Sequence, residues 1–167
     1  MAMAPALRGF TLIELMVVLS VMALLMLVAA PLGADWVHSA QTRQARSKLQ
    51  SGYGLAKALA MRNPCQAQGT ESAAVLRAVQ ADGALQLQVQ AVRDDTVQAT
   101  LGVCATPPAP LWRATLQGGV ALVLAGTAVT PATPAAIALD SRGQPLGSTA
   151  FSVHKGSAAN DETAQLH

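Results

Sequence analysis

From Leu15 to Gly33 the chain carries one polar side chain, Ser20, in a run of nineteen residues. Wound as a helix, that run extends about 28 Å, close to the hydrocarbon thickness of a bilayer. A helix apolar on every face needs lipid, other helices or a large core around it, and the rest of this 167-residue sequence offers too little to enclose it. A secretory signal peptide is the competing reading, with Arg8 as its basic region. The run is longer than such a peptide needs, and its small-residue cleavage sites are poor. Pro31 follows Ala30, and Leu32 stands where a cut behind Ala34 needs a small residue. A membrane helix over residues 10–33 is the expectation. Basic residues do not orient it, because Arg8 lies on one side and Arg43, Arg46 and Lys48 on the other.

One acid, Glu14, stands at the edge of this run. An ionised carboxylate at mid-membrane costs about 2.5–3.5 kcal/mol on insertion scales. A place at the interfacial helix start, where the macrodipole favours an acid, accounts for Glu14 alone. It does not account for Arg8-Gly9-Phe10-Thr11-Leu12-Ile13-Glu14 as a unit. A cut between Gly9 and Phe10 creates an α-amine four residues before Glu14. In a helical filament the carboxylate can instead meet the terminal amine of an adjacent subunit, neutralising two charges that are costly when unpaired.

Those residues, the long apolar run and Pro31 resemble the class III leader of type IV prepilins and type II secretion pseudopilins. The resemblance implies that prepilin peptidase cleaves after Gly9 on the cytoplasmic face and methylates the amine of Phe10. It implies that Glu14 guides subunit docking. It also places a short leader in the cytoplasm and the C-terminal domain in the periplasm, on a single-pass anchor in a bacterial inner membrane. Pro31 removes a helix hydrogen bond and crowds the carbonyl of Leu27, so a kink is expected there.

Beyond it, Ala45, Leu49, Gly52, Tyr53, Ala56, Leu59 and Ala60 recur at helical spacing as one apolar stripe. Gly52 lies on that stripe, and close packing against a sheet is a reason for it. Asn63-Pro64 ends the helix. The remainder reads as strands. In AAVLRAVQADGALQLQVQAV, Asp82-Gly83 is a hairpin turn pairing Ala81 with Ala84. Leu76, Ala78, Leu87 and Val89 then share one face, and Arg77, Gln86, Gln88 and Gln90 the other. Alternation predicts another strand at Val97–Val103, and further ones at Leu111–Leu116, Val120–Ala125, Ile137–Leu139 and Thr149–Val153. The polar tail is expected to fray, apart from a last strand at its end. The predicted fold class is α+β, matching the pilin fold. A long kinked N-terminal helix, transmembrane in its first half, packs on a small antiparallel β domain. The segments are a leader at 1–9, a transmembrane helix at 10–33, its amphipathic continuation at 34–63 and the β domain at 64–167.

Leu139–Val153, LDSRGQPLGSTAFSV, resembles the FDxxGxxxG-type hairpin of the H-type pseudopilins and FimT-like minor pilins (the GspH/FimT family), with Leu139 where that pattern has an aromatic. Cys65 and Cys104 allow one disulfide outside the cytoplasm, worth about 4 kcal/mol over a loop of about forty residues. Arg43, Arg46, Lys48, Lys57 and Arg62 read as a solvated face, or as contacts to neighbours and anionic headgroups. The net charge of +2 and a tail after Lys155 that holds Asp161 and Glu162 but no Lys or Arg argue against DNA as a partner. Asp140, Ser141 and His154 lack the context of a catalytic triad, and His38, His154 and His167 are too scattered for a metal site. No cofactor is expected, and the chain reads as a non-enzyme processed by an enzyme.

The functional expectation is a minor pseudopilin of the type II secretion pseudopilus, assembled near the tip. Its partners are other pseudopilins or pilins, prepilin peptidase and the inner-membrane assembly platform. The nearest alternative is a FimT-like minor pilin serving pilus assembly, twitching or DNA uptake. An alternative of another class is a soluble periplasmic binding or enzymatic domain behind a secretory signal peptide.

Overall fold

The computed structural model describes residues 10–92, 109–155 and 161–167, and within these not the side chains of residues 28–35 and 162. Among the described residues one helix, α1 (Leu12–Arg62), precedes eight strands: β1 (Ala74–Ala81), β2 (Ala84–Ala91), β3 (Trp112–Thr115), β4 (Ala121–Leu124), β5 (Thr127–Ala128), β6 (Ala135–Leu139), β7 (Ala150–His154) and β8 (Glu162–Gln165). The chain divides into two compact units, Met1–Val37 and His38–His167.

In the first unit α1 starts behind Thr11 and runs through Pro31 without interruption, so Pro31 does not terminate it. From Leu12 to Leu27 its apolar side chains are exposed around the whole circumference. Among the described residues no helix is long and apolar enough to cross a membrane. The span expected over 10–33 falls in part on residues 28–35, whose side chains lie outside the description. The leader, residues 1–9, lies outside it altogether.

In the second unit α1 turns a narrow stripe inward: Thr42, Ala45, Leu49, Tyr53, Ala56 and Ala60 are buried, with Leu59 packed beside them. Alanines at three of these positions let strands lie close to the helix axis. The helix stops at Asn63, whose φ of 44° is left-handed. Its N–H donates to the carbonyls of Leu59 (3.1 Å) and Ala60 (3.0 Å), satisfying groups the last turn leaves open. The Asn63 amide then brackets Ala67, donating to its carbonyl (2.9 Å) and accepting from its N–H (2.8 Å). The helix thus ends at Asn63-Pro64 as expected, with Asn63 as the cap and proline behind it.

Two antiparallel four-stranded sheets complete the unit, in the orders β3-β2-β1-β6 and β5-β4-β7-β8. The β1–β2 hairpin turns on Asp82 and Gly83, both at positive φ (54° and 73°), as a two-residue turn of this hand requires. Its register pairs Ala81 with Ala84, Ala78 with Leu87 and Leu76 with Val89, as the alternation predicts. Leu76, Ala78, Leu87 and Val89 are buried, and Arg77 is exposed on the other face. Gln90 departs from expectation: it is buried, its amide donating to Gln88 Oε1 at 3.5 Å. Leu49 of α1, Leu76, Leu87 and Ile137 of the first sheet, and Leu122, Leu124 and Val153 of the second meet in one core.

The Val97–Val103 strand lies outside the described residues. The pair β4–β5 was not expected; it closes over Ala125 and Gly126 at positive φ, and β5 is only two residues long. The last strand expected at the end of the tail is present as β8, within residues 161–167. There β8 pairs with β7, Leu166 is buried, and its N–H donates to Thr149 O at 3.1 Å.

Candidate functional site

Phe10 is 83% exposed, the largest value among the exposed large apolar side chains. Thr11 caps α1. Its hydroxyl accepts from the Glu14 N–H at 3.3 Å, and its carbonyl accepts from the Leu15 N–H at 3.2 Å. Glu14 is thus the third helical residue, exposed in the first turn, where unsatisfied N–H groups concentrate positive potential. The pattern Thr-x-x-Glu is that of a capping box, a signal that marks where α1 begins and that apolar periodicity alone does not supply. Phe10 and Glu14 stand four residues apart at the same helix end, and Gly9 lies outside the described residues. Ser20, the one polar side chain of the run, donates to the Met16 carbonyl at 2.7 Å. With its hydroxyl satisfied within the helix, the segment presents a continuous apolar cylinder with one acid near its start.

The remaining candidates lie in the second unit. Cys65 is buried and disulfide-bonded. Cys104, the other cysteine of the sequence, lies outside the described residues. The turn after β6 is built by Asp140. Its Oδ1 accepts from the N–H groups of Arg142 (2.9 Å) and Gln144 (2.8 Å), and its carbonyl accepts from the Gly143 N–H (2.9 Å). Gly143 needs to be glycine twice over, for its φ of 74° and because a Cβ there lies 3.0 Å from Lys57 Cγ. The Asp140–Gly143 turn is therefore pressed against the last turns of α1. Leu139, where the resembling pattern has an aromatic, is fully buried. Asp140 is occupied as a backbone acceptor, and among the described residues no three His, Cys, Asp or Glu side chains gather to hold a metal ion.

The basic residues of α1 are less uniform than a solvated face. Lys48 is half-buried and donates from Nζ to Thr115 O at 2.7 Å, tying the helix to β3. Lys57 lies under Gly143, while Arg43 and Arg62 are exposed. Tyr53 is buried, and that burial raises the pKa of its hydroxyl above the ordinary value.

Comparison with known proteins touches only the N-terminal feature. The family model for the prokaryotic N-terminal methylation motif matches residues 7–30, which include Gly9, Phe10 and Glu14. No curated protein and no solved structure matches the chain. An N-terminal helix packed on antiparallel sheets is consistent with a pilin-like α+β fold, and the chain carries the N-terminal methylation motif of type IV prepilin-like proteins.

Proposed function

We propose that this chain is an H-type minor pseudopilin, a subunit of the type II secretion pseudopilus anchored in the bacterial inner membrane and assembled near the filament tip. The observation that carries the reading is the N-terminal cylinder. It is apolar on every side, capped by Thr11, and bears one acid in its first turn within the matched methylation motif. Prepilin peptidase removes residues 1–9 and methylates Phe10. The segment 10–33 rests in lipid before assembly and among neighbouring helices afterwards, with a bend at Pro31. Glu14 pairs with the terminal amine of an adjacent subunit, a contact that offsets the cost of placing either charge in an apolar surrounding. The second unit, a pilin domain closed by a Cys65–Cys104 bridge, faces the periplasm. The chain performs no catalysis of its own.

Mass spectrometry of the mature N-terminus tests this reading. N-methylphenylalanine at Phe10 supports it, and a start near Asp35 replaces it with secretory cleavage. Glu14→Ala and Glu14→Val leave cleavage intact and impair assembly; a variant that assembles normally removes the docking role. A FimT-like minor pilin shares leader and architecture. Retention of the fragment from Gln41 onward on DNA, lost at moderate salt, favours that alternative. The absence of Lys and Arg after Lys155 favours secretion.

A further inference from the structure

Among the described residues β3 ends its sheet, and one flank of α1 runs beside it. Leu116 donates its N–H to Leu85 O across the β2–β3 ladder at 2.8 Å. Backbone groups alternate in direction along an antiparallel strand, so Ala114 and Trp112 turn theirs to β2 in step with Leu116. Arg113 and Thr115 turn theirs to the open edge. The bond from Lys48 Nζ to Thr115 O meets one of those edge groups, and among the described residues no strand pairs with the N–H and C=O of Arg113 on that side.

Along the facing flank of α1, Lys48, Gly52, Leu55, Leu59 and Arg62 recur at i, i+4, i+7, i+11 and i+14. That row covers about 21 Å, the length of about six residues of extended strand. Its middle opens into a groove of about 290 Å³ lined by Leu55, Leu59, Arg62, Val89, Leu111 and Trp112. Leu55 and Leu111 are 45% and 48% exposed there. Cations stand around the groove: Lys48 at one end, Arg62 at the other and Arg113 on the strand. Arg62 and Arg113 are exposed, with no carboxylate partner among the described residues. An edge strand beside a helix, with an apolar groove between them, suits β-augmentation. Main-chain hydrogen bonds hold the added strand, and alternate side chains enter the groove.

We propose that the β3 edge and this flank of α1 receive an extended strand of about six residues from a partner protein, apolar at its centre and acidic at its ends. Charge chooses between partners. Pairing two copies of this chain edge to edge brings Lys48, Arg62 and Arg113 of both together, and like charges across a strand pair are destabilising. A strand with terminal carboxylates meets the same three cations favourably. The site lies within the second unit and stands independently of the N-terminal reading.

The test uses the full chain in detergent micelles and a fluorescein-labelled peptide, Glu-Val-Thr-Val-Thr-Glu, followed by fluorescence anisotropy. Saturable binding is expected. It weakens by about tenfold or more when the peptide's Glu residues become Lys, or when its central backbone nitrogens are methylated. Leu55→Glu and Arg62→Glu weaken it by a similar factor. Both residues are exposed, and circular dichroism checks that each variant is folded. Arg77→Glu, on the outer face of β1, leaves the affinity unchanged. Absence of saturation overturns the proposal, as does equal binding of the Lys-ended or methylated peptide, or indifference to Leu55→Glu and Arg62→Glu. A dimer of the chain alone that Arg62→Glu dissociates also overturns it, in favour of self-pairing.

Discussion

Gly52 and Gly54 lie two residues apart in the same helix, and the structure assigns opposite signs to the same substitution at the two positions. A Cβ at Gly54 meets nothing within 4 Å. Gly54→Ala therefore gains the helix-propensity difference, about 1 kcal/mol, with no packing cost. A Cβ at Gly52 falls 2.9 Å from Trp112 Cζ3 and 3.2 Å from Leu76 Cδ1. Trp112 has the groove beside it and yields part of the distance, but Leu76 is fully buried and has nowhere to go. Overpacking of this kind costs about 1–3 kcal/mol. Set against the same propensity gain, Gly52→Ala loses about 1 kcal/mol net. The two variants should thus differ by about 2 kcal/mol. Urea unfolding of each variant, followed by tryptophan fluorescence at constant m-value, reads that difference as a shift in midpoint. A Gly52→Ala protein as stable as Gly54→Ala refutes the close approach of Trp112 and Leu76 to α1.

Three other outcomes follow from the second unit. Tyr53 is the only tyrosine in the sequence, so absorbance at high pH reports it alone. Its folded-state pKa is raised by burial, so its contribution to stability is complete below the unfolded value of about 10 and is lost as pH rises through the folded one. The titration midpoint should fall back toward about 10 in denaturant, and an unchanged midpoint removes the effect. Asp140→Ala strips the acceptor from two backbone N–H groups and should cost about 1–3 kcal/mol in urea unfolding, with faster amide exchange at Arg142 and Gln144. Reduction by dithiothreitol should lower the unfolding free energy of the native chain read from urea unfolding, by up to about 4 kcal/mol in the chain-entropy account, and leave a Cys65→Ser variant unmoved.

Local rules carried far in this chain where one element's own chemistry sets its form. The β1–β2 register was legible because Asp82-Gly83 leaves one turn geometry open and alternation then sorts the side chains. The α1 stripe was legible because Ala45, Leu49, Tyr53, Ala56 and Ala60 recur at the helical period. The two-residue β5 was not, since a strand that short has no period to read and exists only through its pairing with β4. Lys48 looked like one more solvated cation because its partner is a backbone carbonyl distant in sequence.

The division in the candidate sites follows the same logic. The methylation motif matched over residues 7–30, with Gly9, Phe10 and Glu14, is a local signal carried by a short stretch of chain, so the amino-acid sequence alone was enough to find it. The row from Lys48 to Arg62, the open edge of β3 and the groove between them became a surface only when the sheet was laid beside the helix. Sequence determined which residues each element carries and which faces are apolar. Tertiary structure decided which edge is unpaired among the described residues and which cations have no carboxylate there, because those are properties of neighbours the chain brings together only by folding.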